Sequence, residues 1–268
     1  SVWRVEGGDV LVGGAAWRRV RSERGLEEMG RVCVPEASLS ELQERGVALA
    51  RELRRAATDV IVCGDAGGLR GAARLALWAR GEAPATRWIG VPCCPYNSVP
   101  FTVCSVGYAS ALRYCAGIVR GYVREAGEAR LRVEVDGDEH GWLALGIGAL
   151  CGTWGGGETL RLRLGEGMPC ARFEERLGRV LGKAVVERAR YAAPGVMLTV
   201  RLRGGSGAPV SEHVALTESM YAPRGIPAQY VTKVSGRPAP AMRELAQRLC
   251  APWRPIRARR GGKHDRDE

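Results

Sequence analysis

The chain has 268 residues, 46% hydrophobic and 26% charged, with Gly at 37 and Phe at only 2. That length and balance support a core built on Val, Leu, Ala and Ile, in one large α/β domain or two small lobes, and exclude a fibrous or disordered chain. The formal charge of +11 favours acidic partners such as RNA, an anionic surface or an acidic protein. All basic residues except Lys183, Lys233 and Lys263 are Arg, however, a usage that a GC-rich genome also produces.

In chain order, residues 39–57 place Leu39, Leu42, Val47, Leu49, Ala50 and Leu53 near one face of a helix. Asp59 to Cys63 is a β-branched strand, Gly64-Asp65-Ala66-Gly67-Gly68 reads as a loop, and 69–80 resumes helical spacing. Trp88 to Val91 is a second strand, followed by a Pro-rich loop through Pro100 and a helix over about 105–126. Further strands are predicted at 131–135, 158–164 and 196–202, with helices at 141–151 and 172–190. Helices alternating with strands in this way predict a doubly wound, mostly parallel sheet. From 204 the pattern fades: 204–207 is a Gly-rich loop, 223–240 is rich in Pro and Gly, and 242–249 reads as a last helix. The tail 251–268 carries Arg254, Arg257, Arg259, Arg260, Lys263 and Arg266 against three acids and is expected to be a solvated, disordered end.

Nine cysteines, an odd number without a C-x-x-C pair, sit mostly in apolar segments. They read as buried free thiols of an intracellular, reducing compartment. Cys93 and Cys94 are adjacent and His140, His213 and His264 are scattered, so no metal site is expected. No apolar run approaches the roughly 18 residues of a membrane span, and no membrane span is expected. The sequence begins at Ser1 rather than Met, as a removed leader or a trimmed start would leave it; an organellar transit peptide would explain this, and the mitochondrial matrix is the expected location.

Three ordered segments carry a more specific signal. They are VIVCGDAGGLRGAARLA (60–76), IGVPCCPYNSVPFTVCSVGYASALRY (89–114) and RVEVDGDEHGWLAL (132–145). The first resembles the strand, Gly-Gly-Asp-Gly loop and helix of ATP- or pyrophosphate-dependent phosphofructokinases. The second is similar to that family's Ile-Gly-Ile-Pro, Thr-Ile-Asp-Asn-Asp and Gly-Tyr/Phe-Asp-Thr-Ala region. The third is similar to its Val-Glu-Val-Met-Gly-Arg-His-Ala-Gly-Trp-Leu-Ala stretch. The resemblance implies a degenerate, truncated member of that family with a phosphofructokinase-type sheet. Its first βα unit is missing from residues 1–40 or supplied by another polypeptide, and its second lobe is incomplete. It divides the chain into an α/β domain over 1–202, a remnant of the second lobe over 203–250, and the basic tail over 251–268.

Phosphoryl transfer needs donor phosphates and Mg²⁺ held by a Gly-rich loop and an acid, a base for the acceptor hydroxyl, and cations for the transferring charge. By the resemblance, Gly64, Asp65 and Gly67 are what remains of the nucleotide loop, whereas Cys63 and Ala66 replace its other glycines, and a Cβ at 66 crowds a backbone meant to approach phosphate. Tyr96 stands where the family has its general base, Asn97 is retained, and Ser98 replaces the second Asp. A phenol with an ordinary pKa of about 10 does not replace a carboxylate at neutral pH. Asp138 takes the place of the phosphate-binding Arg, beside Asp136, and Ala109 that of the Gly-Phe-Asp-Thr acid. Asp136, Asp138 and Glu139 read either as caps of the following helix or as a new acidic cluster.

These substitutions together imply a pseudoenzyme with no catalytic residues and no cofactor. Its expected role is that of a structural or accessory subunit, partnered by other protein subunits of a large assembly such as a mitochondrial complex or ribosome. Arg254, Arg257, Arg259, Arg260 and Lys263 are the candidate contacts to RNA or an acidic partner. Two alternatives stand beside it: a diverged Mg-nucleotide-dependent phosphotransferase using Asp65, and a regulatory module that binds a nucleotide or sugar phosphate.

Overall fold

The computed structural model describes residues 59–251 except 83, 85, 127–130, 136, 138–139, 153–157, 165–167, 192–194, 205–206, 221–224 and 233–234, together with residues 2–4, 11–12, 15–16 and 18–19. The helix expected over 39–57, the acids Asp136, Asp138 and Glu139, and the tail cations lie outside the described residues.

The strongest β signal in the sequence, Asp59–Gly64, forms β5 after four short strands, β1 (Val2–Arg4), β2 (Leu11–Val12), β3 (Ala15–Ala16) and β4 (Arg18–Arg19). Along β5 the side chains alternate between two apolar layers. Val60 and Val62 join a cluster with Leu69, Ala73, Trp88 and Leu216, while Ile61 and Cys63 join the larger cluster on the opposite face. Burial on both faces explains why this strand is a continuous apolar run. β6 (Arg87–Pro92) pairs parallel to it from Asp59↔Arg87 to Gly64↔Pro92. Arg87 pins the start of this register by donating to both carboxylate oxygens of Asp59, at 2.6 and 3.0 Å.

The helices follow as α1 (Ala66–Glu82), α2 (Tyr108–Ala126), α3 (Trp142–Cys151), α4 (Arg172–Tyr191) and α5 (Pro240–Leu249). α1 covers the Val60 face, and α2 to α5 contribute to the Ile61 face, so the sheet is wound on both sides. The remaining strands are β7 (Leu131–Val135), β8 (Glu158–Leu162), β9 (Val196–Leu202) and β10 (Pro209–Ala215). The main sheet has the order β10-β9-β6-β5-β1-β4. Its β5–β6, β6–β9 and β1–β4 ladders are parallel, and β1–β5 and β9–β10 are antiparallel.

The alternation of helices and strands thus produces a mostly parallel α/β architecture, with three differences in detail. β7 and β8 pair with each other in a separate parallel ladder rather than joining the main sheet. The apparent Gly-rich loop after β5 is short, because Ala66, Gly67 and Gly68 already belong to α1. Beyond 204, where the sequence pattern weakens, β10 pairs with β9 over its whole length, so the main sheet runs across the 202–203 boundary. An edge strand that opens on Pro and leaves Glu212 and His213 exposed carries little apolar alternation, which is why periodicity misses it.

Candidate functional site at the ends of the central strands

In a parallel α/β sheet the ligand crevice lies outside the carboxyl ends of the strands. Here that end is formed by Gly64 and Asp65 after β5, by the loop Cys93–Gly107 after β6, and by the starts of α1 and α2. The loop is stitched to the sheet by backbone bonds: Cys93 N–H donates to Gly64 O, Cys94 N–H to Val106 O, and Val106 N–H to Pro92 O, each at 2.8 Å. These bonds set the start of the loop that carries Tyr96, Asn97 and Ser98 against Gly64, which precedes Asp65, Ala66 and Gly67.

Their roles in the fold are individually legible. The Gly68 N–H donates to Asp65 Oδ1 at 2.7 Å and the Leu69 N–H to Asp65 O at 3.0 Å, so Asp65 caps the N-terminus of α1. A Cβ built on Gly67 would stand 3.3 Å from that same Oδ1. Ala66 is buried in the α1 layer. Asn97 is fully buried and has a positive φ of 59°. Its Nδ2 donates to Val103 O at 3.2 Å, and its Oδ1 accepts from Ser105 N at 3.0 Å. Both ends of the amide are thus spent on holding the loop closed. Tyr96 is half-buried and packs against both apolar clusters, while Ser98 is buried with its Oγ 3.2 Å from Cys94 Sγ.

A residue that sequence reading missed completes the arrangement. Glu174, in the first turn of α4, is fully buried; its Oε2 accepts from Gly107 N–H and its Oε1 from Ala109 N–H, both at 2.9 Å. The carboxylate therefore occupies the N-terminus of α2, where unpaired N–H groups would otherwise receive an anion. Burial pushes its pKa up to about 7 against the opposing pull of the Gly107, Ala109 and Ser110 N–H groups. The available signal was positional: Glu174 falls beside Phe173 on the face of α4 that carries Leu177 and Leu181, all buried.

The thiols here are not poised as nucleophiles. Cys93 is held well above the ordinary thiol range by its hydrogen bond with the Cys63 thiol and by burial, and Cys94 is raised by burial despite the Ser98 hydroxyl. Mg²⁺ takes oxygen ligands from one or two carboxylates together with substrate phosphates. The Gly64–Gly67 and Tyr96–Ser98 segments offer it Asp65 alone, and no group of three His, Cys, Asp or Glu side chains with metal-binding geometry occurs among the described residues.

An α/β sheet wound on both faces, with a Gly-Asp turn leading into one helix and a long irregular loop into the next, defines the class of doubly wound α/β folds. Within that class, comparison with solved structures is specific. The chain matches pyrophosphate-dependent phosphofructokinases from Marinobacter aquaeolei (16% identity, TM-score 0.62) and Nitrosospira multiformis (13%, TM-score 0.66), in each case over 83% of this chain and 74% of the other. It also matches Pichia pastoris phosphofructokinase in its T-state at 15% identity and a TM-score of 0.56, over 67% of this chain and 29% of that one. No protein-family model matches the sequence, and no curated protein matches it significantly. The chain has the phosphofructokinase fold at 13–16% sequence identity.

Proposed function

We propose that this protein is a non-catalytic user of the phosphofructokinase fold, serving as an accessory subunit of a larger assembly. One observation carries the reading. The helix starts that face the crevice are each capped by the chain's own carboxylates, Asp65 on Gly68 and Glu174 on Gly107 and Ala109, while the loop between them presents Tyr96, an inward-turned Asn97 and Ser98. A phosphoryl-transfer site needs the reverse, with N–H groups open to phosphate and carboxylates open to metal and acceptor. No cofactor belongs to this reading, and Ala66, Tyr96, Asn97 and Ser98 serve the fold rather than chemistry. Cysteines that are free wherever described support a reducing compartment, with the mitochondrial matrix as host. The partners are other protein subunits, and the tail cations Arg254 to Lys263 supply a contact for RNA or an acidic surface.

The test is direct. Millimolar Mg·ATP or pyrophosphate is expected to leave the thermal midpoint unchanged, since a ligand that binds only the native state would raise it, and fructose 6-phosphate is expected to remain unphosphorylated. Phosphate transfer abolished by Asp65→Ala would establish instead the diverged Mg-dependent phosphotransferase. One feature favours that second reading: Asp65 is partly exposed at the carboxyl end of β5 and has Oδ2 to spare. A midpoint raised by nucleotide or sugar phosphate without turnover would identify a regulatory binding module.

A further inference from the structure

Helix α4 buries Phe173, Glu174, Leu177 and Leu181 and turns Arg172, Arg176, Arg179 and Lys183 to solvent. At 100° per residue those four cations fall within an arc of about 60°, and they span about 16 Å of helix. None has a hydrogen-bond or ion-pair partner among the described residues, in contrast to the pairs Arg248–Glu244 and Arg201–Glu212. For folding alone this is a poor arrangement. Like charges three and four residues apart repel along a helix, and Arg172 places a cation in the first turn, where the helix dipole disfavours it.

We infer that this stripe is a docking surface for the phosphodiester backbone of single-stranded RNA. A protein partner would need an apolar patch at the centre of the contact, and among the described residues the exposed large hydrophobic ones, Leu77, Phe101, Ile118 and Met220, lie off α4. A phosphate backbone needs no such patch; it is held by successive cations, with Arg forks suited to phosphate oxygens. The stripe carries no aromatic ring on which a base could stack, so it grips the backbone without reading sequence. Glu175 and Glu187 border it and confine the contact to one strand's width. The inference is independent of whether the crevice is catalytic, and it uses residues other than the tail.

The experiment is fluorescence anisotropy of a labelled, mixed-sequence twenty-nucleotide RNA with the full chain across a salt series. Four phosphate contacts predict a contribution of about −3 to the log–log salt slope, or roughly 50-fold in affinity between 50 and 200 mM salt. Replacing Arg172, Arg176, Arg179 and Lys183 with Gln is expected to remove that share while the thermal midpoint holds or rises slightly. Replacing Arg74, Arg80, Arg124 and Arg203 with Gln is expected to leave it, whereas Gln substitution of Arg254, Arg257, Arg259, Arg260 and Lys263 is expected to remove only the tail's own contribution, with the stripe's share of the salt slope still lost on top of it when both sets are replaced. Single-stranded DNA of the same length is expected to bind within a few-fold, as phosphate-only contact requires. The inference fails if the stripe and control variants weaken binding equally, if the whole effect follows the tail, if the stripe variant melts markedly lower, or if wild type binds no RNA at low salt. Tighter, stripe-dependent binding of polyglutamate than of RNA would overturn it in favour of an acidic protein.

Discussion

Asp65 and Glu174 show how one chemical group acquires different meanings from its surroundings. Asp65 sits in the turn between β5 and α1, partly exposed, with its Oδ1 engaged with the Gly68 N–H. Asp65→Ala is therefore expected to cost about 1 kcal/mol in urea unfolding, and Asp65→Asn, which keeps the capping oxygen, to recover most of it. A residue needed for its charge at a metal would show no such rescue. Glu174 has a pKa of about 7 in the folded chain, against about 4.3 for an unperturbed glutamate. The folded state thus holds the proton more tightly, so this contribution to stability is complete below the unfolded value and is lost as pH rises through 7. The unfolding free energy should fall between pH 5 and pH 8 by an amount on the order of 3 kcal/mol, with Cys93 and Cys250 as the neighbouring groups that feel its charge. Glu174→Gln should flatten this part of the profile, and parallel profiles for the two proteins would refute it.

Among the elements, α2, α3 and α5 meet at a point set by one glycine. A Cβ on Gly146 of α3 would lie 2.8 Å from Leu112 Cδ1, 2.8 Å from Tyr108 Oη and 3.2 Å from Met242 Cε. Tyr108 cannot swing away freely, because its hydroxyl donates to Trp142 O at 3.1 Å. Gly146→Ala is expected to cost about 1–3 kcal/mol as overpacking. Gly121, mid-helix in α2, has nothing within 4 Å of its built Cβ, so Gly121→Ala should be neutral or stabilising by up to about 1 kcal/mol. Thermal melts of the two variants shifting in the same direction would contradict this packing. The buried Trp142, whose ring meets that of Tyr230 edge-on with centroids 5.5 Å apart, explains the Gly-Trp pair of the third motif as a packing requirement.

For the whole molecule, the central sheet depends on both ends of the described chain. β6 and β9 are parallel neighbours although α2, β7, α3, β8 and α4 intervene between them. β10 closes the edge beside β9 with pairs from Pro209↔Leu202 to Ala215↔Val196, and α5 buries Met242, Leu245, Ala246 and Leu249 in the larger cluster. A fragment ending at Leu202 is therefore expected to lose cooperative unfolding and to bind hydrophobic dyes, as a partly packed chain does. A sharp melt from that fragment would support an independently folding unit over 1–202.

Local order alone accounts for β5, β6 and β9, because strands buried on both faces must be apolar throughout, and for α2 and α4, because their apolar faces repeat at helical spacing. It also accounts for the turn after β5 and the loop after β6 lying at one edge of the sheet, since neighbouring parallel strands bring their carboxyl ends together. Long-range packing alone could set the rest. The pairing of β10 depends on a neighbour and not on its own alternation. The separation of β7 and β8 depends on which ladder they join. The place of Glu174 at the start of α2 links residues 65 and 67 positions apart: its position on the apolar face of α4 signals burial, but not which helix start it caps.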